Sequence, residues 1–276
     1  MPVTPSPASS AAIVARLRAA GCVFAEDEAR LLLTTAETPD ELEAMVERRV
    51  AGLPLEHVLG WAEFCGLRVE VDPGVFVPRR RTELMVAEAA ALAGDVPPGP
   101  VVLDLCCGAG AVGVALLSRL GRGELHASDV DPAAVRCARR NVAPVRGHVY
   151  EGDLFEPLPA SLRGRVDVLV ANVPYVPTDE VAFMPPEARL HEARVALDGG
   201  ADGLAVARRV AAEASEWLAP GGHLLTETSE RQAPVALGVL AAVGLRPRVV
   251  RDEDLHATVV VGSRVTADFT NPARNM

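Results

Sequence analysis

The chain contains no lysine: all 27 of its basic residues are arginine. A P-loop NTPase needs the lysine that closes its phosphate loop, and pyridoxal phosphate enzymes and Schiff-base aldolases need a lysine amine, so these classes are excluded. Long apolar runs are absent too. The Ala-rich stretch from Ala111 to Leu117 is far short of the ~18 to 20 residues that cross a bilayer. The N-terminal segment MPVTPSPASSAAIVARLRAAG lacks the basic start, apolar stretch and cleavage site of a secretory signal, which predicts a cytoplasmic protein. The five cysteines, Cys22, Cys65, Cys106, Cys107 and Cys137, include no CxxC pair and are odd in number. That pattern suits reduced, buried thiols, and neither a metal nor a disulfide is expected. Positive charge is in deficit, with a net charge of −10 and a pI near 5.1. A field of that sign repels a phosphate backbone, so stable nucleic-acid binding is not expected.

What is present suggests two domains, since 276 residues at 49% hydrophobic content suffice for one large core and a smaller one. Residues 1–60 read as a helical unit. Apolar positions recur at helical spacing at Ile13, Val14 and Leu17, at Leu31 to Leu33, and at Leu42, Met45 and Val46, with Thr38-Pro39-Asp40-Glu41 as a helix start. Residues 61–78 switch to the alternation of short strands, with Asp72-Pro73-Gly74 read as the turn of a linking β-hairpin. From residue 79 to 265 a helix beginning at Thr82 and the Pro/Gly cluster GDVPPGP lead into strands alternating with helices. That alternation predicts an α/β domain with a mostly parallel sheet. The last two strands, RPRVVRD and ATVVVGSR, are close enough to form a hairpin, and residues 266–276 read as a flexible tail.

The first strand of the α/β region ends in Asp104-Leu105-Cys106-Cys107-Gly108-Ala109-Gly110, directly before a helix. Glycines there permit a sharp turn and a close approach of backbone to ligand. The second strand ends at Asp129, about twenty residues beyond Gly108, where a carboxylate accepts the hydroxyls of a ribose. Gly108, Gly110 and Gly113 also satisfy the dinucleotide spacing GxGxxG, so spacing alone leaves NAD open. A third acidic strand end, Asp153, followed by Leu154, suits the edge and face of an adenine and shifts the balance to S-adenosylmethionine. Asp104, Asp129 and Asp153 thus stand at three successive strand ends, on the face where open α/β sheets bind ligands.

The fourth strand runs into Asn172-Val173-Pro174-Tyr175. A planar nitrogen is a poor nucleophile, and its N–H groups need acceptors as positive charge builds on it. The Asn172 side-chain oxygen and the Val173 carbonyl are two such acceptors, and Tyr175 offers a stacking face.

Beyond these motifs, the segments PLEHVLGWAEFCGLRVEVDPGVFVPRRRTEL, VLDLCCGAGAVGVAL, SDVDPAAVRCARRN, GDLFEPL, HEARVALDGGADGL and PGGHLLTETSERQ, spread over about residues 50–265, resemble the HemK-type, or PrmC-like, protein-(glutamine-N5) methyltransferases. The resemblance implies a class I S-adenosylmethionine-dependent methyltransferase fold, Rossmann-like with a seven-stranded sheet. It implies further that Cys106, Cys107, Gly108, Ala109 and Gly110 wrap the methionine part of the cofactor, that Asp129 binds its ribose, and that Leu154 borders adenine. Asn172 to Tyr175 then hold an acceptor glutamine, that of the GGQ loop of a peptide chain release factor, with the N-terminal unit docking the partner. Three departures stand out: NVPY replaces NPPY, PRRRTE replaces PRPETE, and CCGAG replaces GTGSG. Without the second residue of NPPY being proline, Asn172 is no longer held extended by its successor. A different glutamine-bearing protein, an adenine, a small molecule, or cofactor binding without turnover stay open as alternatives.

Overall fold

The computed structural model describes residues 7–94 and 98–265; the 266–276 tail and residues 95–97 of the Pro/Gly cluster lie outside them. Four helices come first: α1 (Pro7–Ala19), α2 (Ala25–Thr35), α3 (Pro39–Val50) and α4 (Leu55–Leu59). Thr38 starts α3 as the sequence predicts, its hydroxyl accepting the Glu41 N–H at 3.2 Å with Pro39 in the first turn. The helices bury a cluster of their own that includes Leu17, Leu32, Met45 and Val46.

A hairpin of β1 (Trp61–Phe64) and β2 (Leu67–Glu70) follows, but its turn is Cys65-Gly66 rather than Asp72-Pro73-Gly74. Both turn residues have positive φ, 51° and 74°, the geometry that matches the twist of a two-residue hairpin. Pro-Gly is the stronger turn signal by composition, yet here it bends the chain after the hairpin and sets Gly74 in a bridge with Glu192.

After a 3-10 turn at Arg80–Thr82 come α5 (Glu83–Ala93), β3 (Val101–Leu105), α6 (Ala111–Leu120), β4 (Glu124–Asp129), α7 (Pro132–Val142), β5 (His148–Glu151) and β6 (Val166–Ala171). The chain closes with α8 (Pro186–His191), α9 (Ala205–Trp217), β7 (Leu218–Glu227), α10 (Ala233–Ala242), β8 (Leu245–Asp252) and β9 (Ala257–Arg264). The seven-stranded sheet has the order β5-β4-β3-β6-β7-β9-β8. Strands β5 to β7 are parallel, while β9 runs antiparallel between β7 and β8, so the last two strands do form a hairpin.

Both faces of the sheet are covered, which is why β3 reads as an unbroken apolar run apart from Asp104. Val102 faces one core cluster and Val101, Leu103 and Leu105 the other. Each such leucine contributes about 1.5–3 kcal/mol on burial, and the central strands are thereby fixed beneath the loops at their carboxyl ends. Among the described residues no helix is long and apolar enough to cross a membrane.

Candidate active site

The carboxyl ends of β3 to β6 open into one cleft, about 1070 Å³ including its mouth. Its floor is the loop after β3, where Cys106, Gly108 and Gly110 all take positive φ, 54°, 55° and 77°. The loop is locked from two sides. Gly108 donates its N–H to Asp129 Oδ2 at 2.8 Å, and Asp131 donates to Oδ1 at 2.9 Å. Asp104 Oδ2 accepts the Gly113 N–H at 2.8 Å, tying β3 to the first turn of α6. Burial pushes the Asp104 carboxyl up to about 7, against the Gly113 hydrogen bond, with a smaller push from Asp129. Asp129 is likewise raised, by burial first, with the two N–H groups opposing. The thiols of Cys106 and Cys107 are pushed up by burial and then by the neighbouring carboxylates, so both stay protonated and unreactive.

Asp153 and Leu154 stand at the far end of the cleft. Asp153 is paired with Arg209 of α9 at 2.6 Å, and the Leu154 carbonyl accepts from Ser128 Oγ at 2.8 Å. Of the residues singled out in the sequence, Asp104, Cys106, Cys107, Gly108, Ala109, Asp129, Asp153, Leu154, Asn172 and Pro174 all line this cleft. Gly110, Val173 and Tyr175 do not. Gly110 begins α6 packed on α7, where a Cβ would meet Val142 at 3.1 Å. The Val173 side chain is buried in the core cluster that holds Leu105 and Leu204. Tyr175 turns away to donate its hydroxyl to Glu227 Oε1 at 2.8 Å, so its ring faces a second, open groove past the end of β7. Burial, and then the Glu227 carboxylate, hold the Tyr175 phenol protonated.

The NVPY turn is held by distant parts of the chain. The LDGGADGL segment lies directly on it: Gly199 N–H donates to the Val176 carbonyl at 2.8 Å, and Val176 N–H to the Leu197 carbonyl at 3.2 Å. A Cβ on Gly199 would lie 2.6 Å from the Pro174 carbonyl oxygen, and one on Gly203 would overlap the Tyr175 carbonyl oxygen. Only glycine permits that approach. Gln232 completes the clasp, its amide donating to the carbonyls of Tyr175 and Asp202, both at 2.9 Å.

Sequence reasoning did not single out the walls of the cleft. Phe64, Phe76 and Pro78 come from the hairpin region, and Ala193, Val195 and Ala196 from the segment after α8. These two walls are clamped together by Arg79 and Glu192 at 2.5 Å, with Arg79 lying over the Phe76 ring at 4.9 Å. Glu227 and Gln232, which hold Tyr175, are not marked by the sequence either. Their signal was the TETSERQ segment, whose spacing alone gives no sign that it folds onto NVPY.

Comparison with known proteins agrees with this fold. Residues 67–209 match the family model of the methyltransferase small domain. The chain is 38% identical over 232 residues to the release factor glutamine methyltransferase of Geobacter sulfurreducens, covering 82% of this chain and 80% of that protein. It is 37% identical over 258 residues to the protein of that name in Deinococcus radiodurans, covering 86% and 91%. It is 40% identical over 190 residues to that of Streptomyces coelicolor, covering 68% and 67%. Among solved structures, a methyltransferase from Pyrococcus furiosus shares the fold with a TM-score of 0.55 at 17% identity, covering 72% of this chain and 90% of the other. The ribosomal protein L11 methylase of Lactobacillus delbrueckii subsp. bulgaricus does so with a TM-score of 0.51 at 16% identity, covering 71% and 85%. With a methyltransferase sheet, a cleft at the carboxyl ends of its strands and relatives of this identity over most of its length, the chain belongs to the release factor glutamine methyltransferase family.

Proposed function

We propose that this protein transfers the methyl group of S-adenosylmethionine to the side-chain amide nitrogen (N5) of a protein glutamine, the GGQ glutamine of a peptide chain release factor. The observation that carries the reading is that Asn172 and Pro174 line the same cleft as Gly108, Asp129 and Leu154. The cleft's chemistry fits the cofactor: a backbone loop with positive φ, an oriented carboxylate at the end of β4, and an apolar wall at Leu154. When bound, S-adenosylmethionine supplies an electrophilic methyl group on a sulfonium.

The residues then divide the work. Asp129 accepts the ribose hydroxyls, Asp153 and Leu154 border adenine, and the loop from Cys106 to Gly110 receives the methionine part. The Asn172 side-chain oxygen and the Val173 carbonyl accept the amide N–H groups of the glutamine. They fix its direction and meet the positive charge that develops on nitrogen. Residues 1–60 dock the partner protein, 61–78 link, and 79–265 catalyse; Arg49 of α3, held inside the first unit by Glu28 at 2.7 Å, joins that unit to the last through Glu187 at 2.8 Å. Such an enzyme works in the cytoplasm, where release factors act.

Purified protein given methyl-labelled S-adenosylmethionine and a release factor is expected to label the GGQ glutamine. Asn172→Ala is expected to lower that rate about 1,000-fold, with cofactor affinity by calorimetry unchanged. Labelling that survives in the variant removes Asn172 from its role, and an unlabelled release factor removes the proposed substrate.

A further inference from the structure

Resting on that reading of the acceptor site, we propose that Arg81, acting through Glu227, is a positioning residue that braces the NVPY turn in place of the restraint a proline at position 173 would give. In NVPY only Val173 precedes a proline, so Asn172 lacks the steric hold that keeps a pre-proline residue extended. The turn that must aim the Asn172 oxygen therefore has one more free pair of backbone dihedrals than an NPPY turn. Something else must limit it.

Glu227 is placed to do so. It ends β7 with its side chain only 2% exposed, and it gathers three donors from two distant segments. Arg81 Nε reaches Oε1 at 2.8 Å, the Thr82 hydroxyl reaches Oε2 at 2.7 Å, and the Tyr175 hydroxyl reaches Oε1 at 2.8 Å. Arg81 also lies over the Tyr175 ring at 5.7 Å. Tyr175 is thus gripped at its hydroxyl and its face, while Gln232 holds its carbonyl at 2.9 Å. Thr82 and Pro174 line the cofactor cleft, whereas Arg81, Tyr175 and Glu227 line the open groove beyond it. The cluster is therefore the partition between the two, immediately behind the acceptor turn.

Charge makes Arg81 the essential member. A buried carboxylate is tolerated when a cation and enough donors meet it. A glutamate at position 81, as in PRPETE, would set a second carboxylate against Glu227 and could not hold it in this way. The two departures, arginine at 81 and valine at 173, are in this account one change in two places.

The test is a double-mutant cycle read as kcat for glutamine methylation. Arg81→Gln is expected to lower kcat about tenfold with cofactor affinity unchanged. Val173→Pro is expected to restore most of the lost rate in the Arg81→Gln background, a gain several-fold larger than any change it brings in the parent protein. Tyr175→Phe, which leaves the Arg81–Glu227 pair in place, is expected to show the same rescue and serves if Arg81→Gln fails to fold. Equal effects of Val173→Pro with and without Arg81 would overturn the brace. Absence of glutamine methylation by the parent protein would instead overturn the function on which it rests.

Discussion

The two halves of the proposed site are built by different means. The cofactor cradle at the ends of β3 and β4 is held by contacts short in sequence: Gly108 to Asp129, Asp131 to Asp129, Asp104 to Gly113. The acceptor half, at the end of β6, is held by residues about 20 to 145 positions apart, such as Val176 with Leu197, Tyr175 with Gln232 and Thr82 with Glu227. A strand-turn-helix unit makes a cofactor cradle almost by itself. Aiming a planar amide, in contrast, takes a turn clasped by three segments that meet only in the finished fold. The comparison implies that each half can be damaged with the other left standing.

The largest expected effect falls on the acceptor half. A methyl group at Gly203 overlaps the Tyr175 carbonyl and displaces the Gln232 amide from it. Gly203 also has φ of 74°, which alanine adopts only with strain. Gly203→Ala is expected to cut methylation about 100-fold or more, while calorimetry still finds the cofactor bound as in the parent protein. A parallel loss of cofactor affinity would mean that the halves are not separable.

The converse experiment removes Asp129. Its carboxylate loses the Gly108 and Asp131 N–H groups along with any ribose hydroxyls, and charged hydrogen bonds of this kind are worth ~1.5–3 kcal/mol each. Asp129→Ala is expected to raise the cofactor KM about 30-fold, with kcat at saturating cofactor much less affected. A fall in kcat of the same size would place Asp129 in the acceptor half as well.

The same division explains what could be read from the sequence. The strands and helices of the sheet, the Asp129 spacing and NVPY itself are visible because each is local. Where two local signals compete, composition misleads: Asp72-Pro73-Gly74 outranks Cys65-Gly66 as a turn on paper, yet the register Trp61 with Glu70 closes the hairpin at the latter. Glu227 shows the other limit. Nothing in TETSERQ marks that glutamate as the partner of Arg81 and Tyr175, because the pairing exists only once β7 lies beside β6. Tyr175 in the isolated motif reads as a stacking face for the acceptor, whereas its hydroxyl is committed to Glu227. The isolated motif held no information on that partner.

The smallest effect probes how the cofactor half carries strain. Cys106 holds φ at 54° at the exit of β3, a conformation that costs a residue with a Cβ ~1–2 kcal/mol. Glycine removes that cost but loses ~0.5–1 kcal/mol in the greater freedom of its unfolded chain. The sulfur, half-buried in the cleft lining, also gives up apolar contact when deleted, which reduces the gain further. Cys106→Gly is therefore expected to stabilise the protein by only about 0.5 kcal/mol in urea unfolding, and to leave the Gly203 and Arg81 phenotypes of the other half untouched. A clear loss of stability would show that the Cys106 side chain holds the loop by packing, and that the cradle owes less to backbone conformation than its hydrogen bonds suggest.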